Sequence, residues 1–345
     1  MGGAKLSFAA LAAPPICRFL NRVPSMSHPH PCPRPELPGA LAAFVLAIFL
    51  VTPGCTGEPP VAAPRETGGS ERSAAAGVPE GTDVWLLELV REGDALRAGS
   101  PRNLTNRPGY DNQPVFTSAG DILFVQMEDG RTDLWRWSTQ EERSTRVTAT
   151  AEQGEFSPTP IPDSDGGISY IRSPDDTSGR LWRMPREGAA AEIIFADIGP
   201  VGYHAWFDAS HVALWLLQDP SVLQLVELDS QASRTLATGV GRSPQSVPNG
   251  RAVSFTRATD SGRVVEMYDL DLDRTEVLAL LPEGGDFHAW TPDGVLLGSA
   301  GSRVFAWREG SWQQVVDLTH LGLTLTRLAV SPDGTRLALV AEPAR

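Results

Sequence analysis

Residues 326–340, TRLAVSPDGTRLALV, read as a short apolar strand, a tight Ser-Pro-Asp-Gly turn and a second strand in which Leu337 and Leu339 alternate with Arg336 and Ala338. Degenerate copies recur up the chain. Aligned on the position four residues before the turn's proline or its equivalent, the anchors are Pro114, Pro158, His204, Pro244, His288 and Leu328, with spacings of 44, 46, 40, 44 and 40. A repeat of this period sets the architecture before any single element is assigned.

Each anchor opens an inner strand that ends in a Pro-Asp-Gly-like turn, where glycine supplies the backbone freedom a hairpin needs. Second strands follow at 122–126, 168–172, 212–216, 252–256, 295–299 and 337–340. A third strand carries a large apolar residue at its middle, as in DLWRW (133–137), RLWR (180–183) and RVFAW (303–307), and a more polar fourth closes the unit, as at 143–148 and 313–318. Four short antiparallel strands per repeat predict a blade of a β-propeller. Gly 33 and Pro 29 fit so many turns.

The sixth repeat stops after two strands. Ahead of the first repeat stand DVWLLEL (83–89) and RNLT (102–105), which match a third and a fourth strand, Trp85 aligning with Trp135 and Trp182. The expected fold is therefore all-β: a six-bladed propeller of four-stranded antiparallel blades over residues 82–345, its last blade closed by two N-terminal strands so that no blade edge is left open.

NLTNRPGYDNQPVFTSAGDILFVQMEDGRTDLWRW and LAVSPDGTRLALV resemble the repeat of the TolB-type six-bladed propeller, a WD-like family of bacterial envelope proteins. The resemblance covers about residues 82–343 and implies the propeller fold and an envelope location. TolB itself carries a further N-terminal α/β domain, for which residues 56–81 are too short. The nearer match is to lipoproteins that carry the propeller alone.

The N-terminus reads as an address. Residues 40–51, ALAAFVLAIFLV, form an apolar run of twelve, short for a bilayer span but suited to an export-signal core. Arg34 precedes it and Thr-Pro-Gly-Cys55 follows, resembling a lipoprotein box with Cys55 as the lipidated residue; Met26 is a second candidate start. A cleaved signal without a lipid and a short uncleaved anchor are the alternatives. Residues 1–54 are read as the signal peptide, and 55–81 as a flexible tether with too little apolar surface to offset its conformational entropy. The three cysteines, Cys17, Cys32 and Cys55, all precede the repeats, which excludes a disulfide, a cysteine metal site or a cysteine nucleophile in them. The formal charge of −13 becomes −16 without residues 1–54, so no basic stripe for nucleic acid exists.

Propellers bind at the channel mouth where inner strands begin. Those positions are Gln113, Ser157, Tyr203 with His204, Ser243, Phe287 with His288, and Arg327. The duplicated His-Ala-Trp, His204 with Trp206 and His288 with Trp290, offers two imidazoles as metal ligands or an acid–base pair, to which Glu155 and Asp111 could add carboxylates. The structural alternative has each histidine replacing an anchor proline and bonding a neighbouring blade's backbone, with each tryptophan filling core. The run DLDLD (269–273) lacks the glycine at position six and the glutamate at position twelve of a calcium loop, and reads as a strand running into a turn. No Gly-x-Ser-x-Gly elbow occurs, nor a Walker or Rossmann glycine pattern, so no cofactor is expected. These residues predict a monomeric, non-catalytic platform for an envelope protein, peptide or glycan. The alternative is a metal-assisted hydrolase or lyase at His204 and His288.

Overall fold

The computed structural model describes residues 81–343 apart from residue 176. The expected signal segment, Cys55 and all but the last residue of the tether lie outside the described residues.

Six antiparallel sheets make up the fold. The first blade runs Asp111–Phe116, Ile122–Glu128, Arg131–Ser138 and Arg143–Arg146 from channel to rim, and the next four repeat that order. Their inner strands are Gly154–Pro160, Val201–Asp208, Gln245–Val247 and Gly285–Trp290. Each inner strand packs against the next, and that of the sixth blade, Leu323–Val330, returns to that of the first. The ring is closed.

Both parts of the chain build the sixth blade. Arg336–Pro343 pairs with Leu323–Val330 on one side and with Asp83–Glu92 on the other, setting Trp85 opposite Leu339 and Leu87 opposite Leu337. The outer strand differs in detail from the expected single segment at 102–105. Asp83–Glu92 runs past the expected end and turns back at Gly93, so its outer edge is covered by two pieces, Ala95–Ala98 and Arg102–Asn103. The alternation of Leu87 and Leu89, both buried, extends the strand.

The apolar interior lies between blades. Six clusters fill six seams: Ile122 and Phe124 face the sixth blade's Val84 and Ala338, while Leu123 and Val125 face Ile168 and Tyr170 of the second. Central strands have both faces covered, so they read as continuous apolar runs instead of alternating ones. The turns follow the repeat's chemistry. Ser331 Oγ accepts the Arg336 N–H at 2.9 Å and donates to Asp333 Oδ1 at 2.5 Å, while Gly334 holds φ +72°. The run 269–273 is a strand end and turn, Asp269 Oδ1 accepting the N–H groups of Asp271 and Leu272. Among the described residues no helix is long and apolar enough to cross a membrane.

Candidate functional site

The inner strands of five blades break register beside their anchors, between Asn112 and Val115, Phe156 and Thr159, Val201 and Tyr203, Gly285 and His288, and Leu325 and Arg327. Gln113 and Ser157 take left-handed φ of 56° and 52° at these bulges. An irregularity of this kind spoils strict in–out alternation. In the first, fifth and sixth blades two successive residues consequently face the channel, Asn112 with Gln113, Asp286 with Phe287 and Thr326 with Arg327.

The channel widens to either side of a waist. On the side where inner strands begin, a cavity of about 860 Å³ receives side chains from every blade. On the opposite side a second cavity of about 370 Å³ lies among the strand ends. Gln113, Tyr203, Arg242 and Arg327 line both and so mark the waist.

Arg327 crosses the channel. Its Nε donates to Asn112 Oδ1 of the first blade at 3.1 Å, its Nη2 to the Tyr203 hydroxyl of the third at 3.0 Å, and its Nη1 to the Arg242 carbonyl at 3.4 Å. The guanidinium carbon lies 4.9 Å from the Tyr203 ring centroid and 5.3 Å from that of Phe287. Tyr203 is held in turn edge-on to Trp215, with centroids 5.4 Å apart. Gln113 Oε1 accepts the Ser157 N–H at 2.5 Å, and Ser157 Oγ donates to the Gly202 carbonyl at 3.1 Å. Burial pushes the Tyr110 phenol well above its ordinary value, so it enters the cavity as a neutral hydroxyl.

The two histidines lie in different seams. His204 Nε2 is 2.7 Å from Ser169 Oγ of the second blade, and Trp206 Nε1 donates to the same oxygen at 2.9 Å. His288 repeats this with Ser254 of the fourth blade at 2.8 Å, and Trp290 at 2.9 Å. Each serine hydroxyl also donates to a strand carbonyl, Thr159 at 3.1 Å or Gln245 at 3.4 Å. That accounting makes Nε2 the protonated nitrogen and leaves Nδ1 as a buried acceptor without a partner. Desolvation lowers both imidazoles to about 3. The neighbour each histidine meets is thus a serine side chain, where the sequence pointed to backbone.

The predicted carboxylates are engaged elsewhere. Glu155 is fully buried and takes Arg172 Nε at 3.0 Å and Nη2 at 2.8 Å, with the Thr150 hydroxyl at 2.8 Å. Asp111, also fully buried, faces Arg107 at 3.1 Å, and burial raises it to about 6. Neither is among the residues lining the two channel cavities, whereas Tyr203, Arg327, Gln113 and Phe287 are. Among the described residues no group of three or more His, Cys, Asp or Glu is placed to hold a metal ion.

Sequence reasoning passed over the residue two before each anchor: Asn112, Phe156, Gly202, Arg242, Asp286 and Thr326. All but Gly202 line the larger cavity. Gly202 lies against Trp215, where a Cβ would come within 2.9 Å of the indole. The signal was present one column upstream in the repeat alignment.

No family model matches this sequence, and no curated protein does. Solved structures do. A protein assigned as TolB from Agrobacterium tumefaciens is 16% identical with a TM-score of 0.60, over 77% of this chain and 100% of that one. TolB from Acinetobacter baumannii is 13% identical with a TM-score of 0.50, over 76% of this chain and 64% of that longer one. At such identities the likeness is one of fold: this chain carries a TolB-like six-bladed propeller.

Proposed function

We propose that the protein is a non-catalytic binding platform of the cell envelope, a TolB-like propeller tethered through a lipid on Cys55 and offering its channel face to a protein, peptide or glycan. One observation carries this reading. The channel holds a cavity of about 860 Å³ to which all six blades send side chains, a size within the range of binding sites. The groups with catalytic potential are meanwhile consumed in the scaffold, the imidazoles by serines in separate seams and Glu155 by Arg172. The export signal read in residues 1–54 and the likeness to TolB structures support the envelope location.

Crosslinking in intact cells, followed by identification of the captured species, is the direct test. An envelope partner is expected, together with release of a Cys55→Ala variant from membranes into the soluble fraction. Unchanged membrane association of that variant would overturn the tether. Stoichiometric metal in the purified protein that disappears in a His204→Ala/His288→Ala variant would favour the hydrolase or lyase instead.

A further inference from the structure

Among the described residues Arg327 has no carboxylate within ion-pair distance. A guanidinium offers five N–H donors. Three are used, and every acceptor is neutral: an amide oxygen, a phenol and a peptide carbonyl. Two donors remain. Arg263, the other half-buried arginine lining the larger cavity, faces a carboxylate, Asp286. Arg327 is likewise half-buried and faces none among the described residues.

The surroundings repeat the imbalance. Arg242 stands beside it, lines the same two cavities and has no ion-pair partner among the described residues. Arg263 is already neutralised by Asp286 at 2.6 Å. The larger cavity thus carries Arg242, Arg263 and Arg327 against Asp286 and Glu342, a positive balance inside a chain of formal charge −13. Its walls include Tyr110, Phe156, Trp215 and Phe287, so the cation sits among aromatic faces. A partly desolvated charge without a partner is costly, and a planar guanidinium edge matches a planar carboxylate.

We propose that the channel is a carboxylate receptor, seating the C-terminal carboxylate of a peptide on the free N–H groups of Arg327 while its last, apolar or aromatic, side chain packs against the aromatic wall. This rests on the platform reading and names its ligand. Asp286 and Glu342 select against more highly charged anions by repulsion, and Arg242 at the more exposed position assists capture.

The test titrates the purified full chain by calorimetry with two probes, N-acetyl-Ala-Phe as the free acid and as the C-terminal amide, and with inorganic phosphate. The acid is expected to bind at least tenfold more tightly than the amide, and phosphate more weakly than the acid. Arg327→Gln should bring the acid-to-amide ratio close to one, and Arg327→Lys should keep part of it. Should Arg327→Gln not fold, Arg242→Gln, an exposed position, is expected to weaken the acid about threefold and leave the amide unchanged. Equal binding of acid and amide, binding of neither, or phosphate binding as tightly as the acid would each overturn the proposal. An envelope partner still captured in cells by Arg327→Gln would show that the platform stands without this ligand, whereas failure to capture any partner with the unaltered chain counts against the platform itself.

Discussion

A buried imidazole with one nitrogen committed and the other facing apolar packing is a proton acceptor that folding suppresses. His204 and His288 are lowered to about 3 by burial, against an ordinary value of 6.5. Between these values the unfolded chain binds more protons than the folded one, so their contribution is complete above about 6.5 and is lost as pH falls towards 3. Each is worth on the order of a few kcal/mol at the acid end. A His204→Gln/His288→Gln variant, whose amides keep a polar group near each serine, should show a shallower fall in thermal midpoint between pH 7 and pH 4 than the unaltered protein. An identical pH profile would remove the histidines from the account. Asp111 has the opposite sign. Its carboxyl is raised to about 6 by burial, so ionisation through pH 4–6 costs folded stability as pH rises. Asp111→Asn should therefore compare better with the unaltered protein at pH 7 than at pH 4, measured as the difference in midpoint at the two values.

At the scale of strands and turns, the repeat was legible because turn chemistry and apolar runs both lie within a few residues of one another. Ser331, Asp333 and Gly334 bond and bend locally, so a sequence displays them. Gly334 at φ +72° occupies a region disfavoured for residues with a Cβ, although the space there is open enough for one, its nearest neighbour being Pro292 at 3.6 Å. Gly334→Ala is expected to cost about 1–2 kcal/mol through backbone strain alone, read from denaturant unfolding. A neutral substitution would mean the turn relaxes. The bulges were not legible. Asp286, inside the break between Gly285 and His288, escaped notice for that reason, whereas Arg242 stands ahead of an inner strand with no such break. Nor was the serine partner of each histidine, since Ser169 and Ser254 sit on other blades, 35 and 34 residues away. The extra outer hairpin at residues 93–98 was hidden too, because nothing repeats it.

Across the described residues the apolar interior lies in seams between blades, and its integrity depends on each neighbour being present. Leu87 is 1% exposed and pairs across the strand boundary with Leu337, so the N-terminal strand belongs to the same cluster as the last hairpin. Leu87→Ala is expected to destabilise the entire ring by about 2–5 kcal/mol, as a buried leucine in a continuous core would. Leu339→Ala should do the same, with a single cooperative transition in both. Separate melting of the sixth blade would show the ring to be less unified than its packing. The seam between blades four and five is the thinnest, with Val265, Ala279, Leu281 and Leu296 buried and Trp290, Trp307 and Trp312 only partly covered.

Because Asp83–Glu92 finds its neighbour in Arg336–Pro343, it is made early and must wait for nearly the whole polypeptide before it has anything to pair with. Until then Leu87 and Leu89 lack the partner strand that covers them. The ring closes only once the hairpin of Leu323–Val330 and Arg336–Pro343 is in place, so this blade is the last to be completed.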